Sequence, residues 1–500
     1  MNGRFLVGWA NADITPEKPV LLAGQFHSRI SEGVQNPITV TILAMESERN
    51  GTHEKLIWVS CDLAHVPDGL RDMVREGVTK RIPEFEPANI ILNATHTHTA
   101  PDVAVEQPVA SKRKSDGLTP FGGGNTSTPF GLKLPVMTPC EYLDFAVPHI
   151  VNAIHTAWSR REPSGIGFGL GHAVVGYNRN VRYANSDCFM YGNPNDPNFT
   201  HIEGHEDHGV NVLAVWNRFG QLTGMVVNVA CPSQMTEHLF ELSADYWHET
   251  RMELRHRLGG DLYVLAQCSA AGDQSPHVIL NKAAEERMWH LAGRTERQEI
   301  GTRIADAITS ILPAVEKDIQ WEPVFAHRAE TLHLSRRALT ENDVREASAE
   351  ADDLRKKYES CLTDLEAHPE KKLEPRWYVD VTYAYNRMQW CQGVASRFAI
   401  QKASPTLSTE LHVVRLGDVA FATNPFEYYL DYGQRIKARS LSTQTFLVQL
   451  AGPGTYLPPE RSISDTCYGT MAASTPIGPE GGQQIVEQTL NVIETLWRIP

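Results

Sequence analysis

The feature that most limits how this chain can fold is a set of short apolar runs that each end abruptly in polar residues. Leu56 to Cys61 runs into Asp62, Ile90 to Leu92 into His96 and His98, and Met225 to Ala230 into Cys231-Pro232. Leu262 to Leu265 leads to Gly272-Asp273, Val413 to Thr423 to Glu427, and Phe446 to Leu450 to Tyr456. Short apolar runs bounded by turn residues read as buried strands. Several such strands ending in polar clusters imply one shared rim, and open α/β sheets hold their chemistry at the carboxyl ends of strands.

Between the first two tips, Leu70, Met73, Val74, Val78 and Ile82 fall on one helical stripe. Strand–helix–strand order gives an α/β fold class, here multi-layer, with mixed β-sheets flanked by helices. Five hundred residues exceed the size at which one core usually stops growing. The expectation is one catalytic domain over 1–500 built of several layers. Thr138-Pro139-Cys140-Glu141 opens a helix with a capping box, and the closing helix carries Val486, Leu490, Ile493 and Trp497. Residues 105–137, rich in Gly, Pro, Ser and Thr, follow the histidines directly and are expected to form a lid. Residues 338–375 are dense in charge at helical spacing and are expected as a solvated helical insertion. No internal repeat is visible.

A formal charge of −14 argues against nucleic acid or an anionic membrane as partner. No window reaches the ~18 apolar residues of a membrane span, and the amino terminus lacks a signal-peptide pattern. Eight scattered cysteines without a CxxC pair suit free thiols in a reducing compartment, so a cytoplasmic location is expected. The expected partner is a small-molecule or amphipathic substrate.

His96 and His98 stand two residues apart in Asn89 to Asp102. In an extended chain alternate side chains share a face, and histidine is the commonest protein metal ligand. Alone, the pair could equally cap a polar turn. With the other tips it reads as the centre of a metal-dependent hydrolytic site.

ATHTHTAPD, GDQSP, NPFEYYLDYG and AGPGTYLPPE, in that order, resemble the catalytic domain of the neutral/alkaline (non-lysosomal) ceramidases. GWANADITP, LIWVSCDL and NRN fit as well, so the resemblance runs over nearly the whole chain. That family hydrolyses the N-acyl bond of ceramide with zinc. The resemblance implies Zn2+ held by His96, Glu427 and Tyr456, with His98 as a catalytic or oxyanion-side histidine. It implies Arg179 as a substrate-site cation, Ser275 as the serine of the GDxSP motif, and Tyr468 as a hydrogen-bond donor to the transition state. Where the family has a second zinc histidine followed by proline, this chain has Cys231-Pro232. Cys231 thiolate or His238, seven residues on, are the two candidates to replace it. His238 is preferred because a thiolate would weaken the metal as a Lewis acid. The chain also ends with the helix after the Tyr456 segment, so the family's additional carboxyl-terminal β domain is expected to be absent.

Zinc with three or four protein ligands lowers the pKa of bound water to about 7, which is what amide hydrolysis at neutral pH requires. Ser275 has no histidine–carboxylate pair evidently reserved to activate it, so a structural or substrate-contacting role competes with nucleophilic attack. Two other functions fit the same residues. One is hydrolysis of a glycosidic or ester bond by a carboxylate pair drawn from Asp62, Asp245, Asp273 and Glu427. The other is a metal-free binding protein whose zinc histidine has given way to Cys231.

Overall fold

The apolar runs become strands because their side chains have apolar layers to meet on both faces. In the computed structural model, which describes residues 4–49, 51–104, 130, 132–464 and 466–499, eight of them form one sheet. Most of the expected lid, 105–129 and 131, lies outside the described residues. The strands are Arg4–Asp13 (β1), Thr39–Arg49 (β2), Thr52–Cys61 (β3), Ile90–Ala94 (β4), Glu162–His172 (β5), Gly209–Asn217 (β6), Leu222–Val229 (β7) and Tyr263–Cys268 (β8). Their order is β8-β7-β6-β5-β1-β2-β3-β4, antiparallel inside and parallel at the pair on each edge. A second sheet joins Phe325–Ser335 (β9), Thr406–Leu416 (β10), Val419–Thr423 (β11) and Gln444–Val448 (β12) in that order, the last pair parallel.

The two sheets pack face to face through Trp58, Ile91 and Leu265 on one side and Val414, Phe421, Phe446 and Val448 on the other. Helices cover both outer faces. Asp68–Arg81 (α1) and Pro139–Ser159 (α2) lie over one half of the large sheet, and Tyr246–Leu258 (α3) and Glu296–Val315 (α4) over the other. The capping box of α2 is present as the sequence indicates, and it opens on Pro139. Glu341–Ala367 (α5) and Val379–Ile400 (α6) pack on one another through Ala351, Met388 and Cys391. Leu430–Arg439 (α7) and Pro479–Trp497 (α8) back the small sheet. The result is a helix–sheet–sheet–helix sandwich, the mixed α/β class that the strand–helix–strand order implies. Among the described residues, no helix is long and apolar enough to cross a membrane, and no disulfide joins the cysteines.

One topology recurs three times although the sequence shows no repeat. A hairpin, a helix and a strand parallel to the hairpin's second strand make up β2-β3-α1-β4, β6-β7-α3-β8 and β10-β11-α7-β12. The parallel strands of the three units meet at their carboxyl ends. Ala94 N donates to Leu450 O at 3.2 Å, and Gln449 N to Cys268 O at 3.0 Å. That junction brings the polar tips together.

Strand β5 is not legible in the sequence. Gly165, Gly167, Gly169 and Gly171 alternate along it, and glycine normally weakens a strand. Here α4 lies so close that a Cβ at Gly167 would stand 2.8 Å from Val315 Cγ1, and one at Gly171 2.9 Å from the Ala307 carbonyl oxygen. Only hydrogen fits on that face.

Two buried charges fix the histidine-bearing segment. Asp62, at the end of β3, is fully buried and accepts two bonds from Arg251, at 2.7 and 2.9 Å, and others from Thr39. Arg251→Met would leave that carboxylate uncompensated. It is expected to destabilise the fold by about 3–5 kcal/mol in denaturant titration; a loss of under about 1 kcal/mol would contradict the clamp. Asp102 closes the histidine segment, buried with Ala104 N as donor at 2.9 Å. Burial pushes its carboxyl up to about 7, against about 3.9 unfolded. Between those values the folded chain holds the extra proton, so this group's contribution to stability falls as pH rises through the window. Asp102→Asn, which keeps an acceptor but cannot ionise, is expected to gain up to about 4 kcal/mol over the parent chain at about pH 8 relative to about pH 4. Equal differences at both pH values would refute it.

Candidate active site

In the segment after β4 the threonines and histidines turn to opposite sides. Thr97 and Thr99 turn one way, their hydroxyls donating to Ser243 O at 2.7 and 2.9 Å. His96 and His98 turn the other way, with ring centroids 4.8 Å apart. His96 takes a positive φ of 64°, a conformation that costs a non-glycine residue about 1–3 kcal/mol and persists where the surroundings enforce it. The enforcement is visible. Thr95 N donates to Cys61 O and His96 N to Leu63 O, at 2.9 and 3.0 Å, and His96 Nδ1 lies 2.5 Å from Ala64 O. A carbonyl can only accept, so Nδ1 carries a proton, and when that is the ring's only one Nε2 presents a lone pair.

That lone pair faces Glu427 Oε2 at 3.4 Å and His98 Nε2 at 3.3 Å. Glu427 arrives from the third unit. Its short strand Glu427–Tyr428 runs parallel to Tyr456–Leu457 with Glu427 opposite Tyr456. Burial alone would raise the Glu427 carboxyl, but His96, Arg179 and a hydrogen bond with Tyr456 hold it below its ordinary range. Arg179, itself buried, donates through Nη2 to Tyr456 OH at 3.1 Å and to Gly272 O at 3.0 Å, and lies 3.9 Å from Glu427. Burial keeps the Tyr456 phenol protonated. Tyr468 stacks edge-on against Tyr456 at 5.5 Å and joins Phe26 and Trp390, all three half-buried, in one aromatic wall.

His98 has its own support. Its Nδ1 stands 2.9 Å from Glu237 Oε2. Glu237 Oε1 lies 3.3 Å from His277 Nε2. Burial would raise Glu237, yet His277 and His98 hold it well below the usual carboxylate range. Burial pushes the His98 imidazole down despite Glu237. Gly24, at φ 97°, lies under the His98 ring, where a Cβ would stand 2.5 Å from Cγ. Arg29, buried, donates to Ala23 O, Leu239 O, Glu237 O and His98 O, tying that wall together.

Thus His96, His98, Arg179, Ser275, Glu427, Tyr456 and Tyr468 lie in one connected cluster. His238 does not join it. It is exposed, and no contact links it to His96 or Glu427 among the described residues. Successive turn bonds, Gln234 N to Pro232 O and Glu237 N to Gln234 O, point Glu237 inward and leave His238 outside. Cys231 is buried, its Sγ donating to the Val175 and Pro232 carbonyls at 3.6 and 3.4 Å, and burial raises its thiol well above the ordinary value. No contact links its Sγ to His96 or Glu427 among the described residues. Among the described residues, no group of three or more His, Cys, Asp or Glu side chains is placed to hold a metal ion.

Ser275 Oγ accepts from Tyr191 OH at 2.9 Å, from His277 N at 3.1 Å and from Gln234 Nε2 at 3.3 Å. No histidine or carboxylate contacts it as a base, so it is positioned as an acceptor. The carboxylates proposed as a glycosidase pair are likewise occupied. Asp62 is clamped by Arg251, Asp245 caps α3 and accepts from Met235 N and Thr236 N, and Asp273 accepts from Asn178 and Leu430. Only Glu427 of the four faces His96. Glu237, Arg29, Tyr191, Gln234 and His65 are the site residues that sequence reasoning did not find. The Nε2 of His65 is buried without a hydrogen-bond partner among the described residues.

No family model matches the chain, and no curated protein matches it. Among solved structures, the neutral ceramidase from Pseudomonas aeruginosa matches 99% of this chain and 75% of its own, with a TM-score of 0.65 and 16% identity. A ceramidase complexed with C2 matches 99% of this chain and 76% of its own, with a TM-score of 0.64 and 14% identity. Likeness of that extent establishes the architecture: the chain has the neutral ceramidase fold.

Proposed function

We propose that this chain is a zinc-dependent hydrolase that cleaves an N-acyl amide bond of an amphipathic substrate, ceramide being the reference compound. The observation that carries the reading is the pair His96 Nε2 and Glu427 Oε2, 3.4 Å apart, with His96 Nδ1 committed to Ala64 O. Tetrahedral zinc with bonds of about 2.0–2.1 Å sets its donors about 3.3 Å apart, so the separation fits that ion. His96 and Glu427 would hold it, with Tyr456 beside them. Bound there, zinc supplies Lewis acidity towards a carbonyl and a lowered pKa for water.

The chain's own residues account for the rest. Arg179 stays charged behind Glu427 and Tyr456 and keeps both pointed at the rim. His98, neutral and backed by Glu237, is suited to move a proton to the departing amine through Nε2. Tyr468, protonated because burial raises its phenol, can donate to an oxyanion. Phe26, Trp390 and Tyr468 offer an apolar wall for the hydrocarbon part of a substrate. The fold likeness to ceramidases supports the same reading.

The test is hydrolysis of N-acyl sphingosine and of soluble N-acyl amines by the purified chain before and after chelation. Activity that is lost with the metal and restored by zinc is expected; chelator-resistant turnover would refute the reading. His96→Ala is expected to lose both bound zinc and turnover. Ser275→Ala should stay within about tenfold of the parent rate, because removing a true serine nucleophile costs about a millionfold. A collapse of that size would restore Ser275 as the attacking group.

A further inference from the structure

Helix α6 turns one stripe towards the active site. Tyr383, Arg387 and Trp390 stand at the helical spacing i, i+4, i+7, so they share a face, and all three are half-buried. Phe26 packs against this stripe, its ring centroid 5.4 Å from that of Trp390 and 6.2 Å from that of Tyr383. Phe26 and Trp390 also meet Tyr468, at 5.6 and 5.7 Å, and Tyr468 meets Tyr456 at the rim. Two cations lie on the same rings. Arg387 Cζ is 5.1 Å from the Phe26 centroid and 4.8 Å from that of Trp390. Lys357 Nζ, from α5, is 5.4 Å from the Tyr383 centroid. Those are cation–π distances. Exposure increases along the wall, from buried Tyr456 through half-buried Tyr468 and Trp390 to exposed Lys357, so the cations stand towards its solvent end.

Both cations keep binding capacity. Glu350 takes Arg387 through Nε at 2.8 Å, and the two Nη groups make no hydrogen bond among the described residues. Asp353, one turn before Lys357, is taken by Lys356 at 2.9 Å, and Lys357 Nζ makes no hydrogen bond or ion pair among the described residues. A guanidinium stacked on rings holds its planar fork pre-organised, and that fork matches the paired oxygens of a carboxylate or phosphate. In a chain of net charge −14, two cations left open beside aromatic rings are a local exception. We propose that Arg387 and Lys357 form an anion subsite at the outer end of this aromatic wall, and that the molecule taken at the rim is an amphiphile with a carboxylate or phosphate group beyond the part lying on the rings. The ring faces then hold hydrocarbon, and the cations fix which end of the molecule points away from His96 and Glu427. The inference deepens the hydrolase reading and rests on it only in calling the bound molecule a substrate.

Calorimetric titration of the full chain with decyl phosphate, decanoate and the neutral decyl glucoside, each kept below its micelle-forming concentration, tests the subsite without turnover. At low salt the parent chain is expected to bind at least one of the two anions about tenfold or more tightly than decyl glucoside, the scale of one hydrogen bond to a charged group. The anion that binds more tightly, phosphate or carboxylate, is then the group the subsite serves, and the margin should shrink as salt is added. Arg387→Met is expected to remove most of that margin while decyl glucoside binds as before. Lys357→Met, a change at an exposed position, should narrow it by about two- to fivefold, and it decides the matter if Arg387→Met fails to fold. Equal binding of anionic and neutral amphiphiles by the parent chain overturns the subsite. So does an undiminished margin in Arg387→Met or, where that variant does not fold, in Lys357→Met, since the anion would then be held elsewhere. Absence of zinc-dependent turnover with the margin intact overturns the hydrolase reading and leaves the subsite standing.

Discussion

Everything at the rim depends on the buried amide of Gln449. Its backbone N–H pairs with Cys268 O, its side-chain oxygen accepts from Ala271 N and Tyr428 N at 3.1 Å each, and its Nε2 donates to Cys268 Sγ at 3.2 Å. One side chain thereby holds the loop that carries Asp273 and Ser275 against the strand that carries Glu427. The neighbouring Leu450 carbonyl takes Ala94 N and brings in the histidine tip. Polar side chains buried this deeply are tolerable only when every bond is made, and the same requirement makes them specify a single arrangement.

The electrostatics follow from that packing. In a site this dry, burial would drive acids up and bases down, and only specific neighbours reverse the trend. Glu427 and Glu237 stay ionised because imidazoles and Arg179 face them, while His98 stays neutral despite its carboxylate. The outcome is a rim of carboxylates and imidazoles looking at one another. Such a surface attracts a cation and repels a further carboxylate.

Much of this was legible in the chain itself. The strand tips could be read because short apolar runs have few alternatives to a buried strand, and the mixed α/β class followed from their order. What escaped notice has physical causes. Strand β5 was hidden by its glycines, whose reason lies in the close approach of α4 and not in strand preference. Strand β9 mixes buried and exposed residues with charge, and helix α6 carries buried Thr382, Asn386 and Arg397 along its packed face, so neither shows a clean period. Residues 338–375 looked like a solvated appendage, yet Leu365 joins Tyr378 and Val381 in a core with Leu21 and Phe130 beside the active-site loop. The preference for His238 rests on zinc's Lewis acidity, which says nothing of direction; in a tight turn consecutive side chains diverge, and it is Glu237 that points in. Arg29 works entirely through carbonyl oxygens, a role that leaves no trace in residue type or spacing.

The threefold recurrence of hairpin, helix and parallel strand has a thermodynamic corollary. Each unit contributes a tip, yet no unit alone presents a complete set of groups to a ligand. Whatever binds at the rim recognises only the assembled trio, so its binding free energy is added to the cohesion between units and not to any one of them. Occupancy then acts as a fastener whose release loosens the whole molecule at once, and saturation with ligand should be felt at the outer helices as strongly as at the rim.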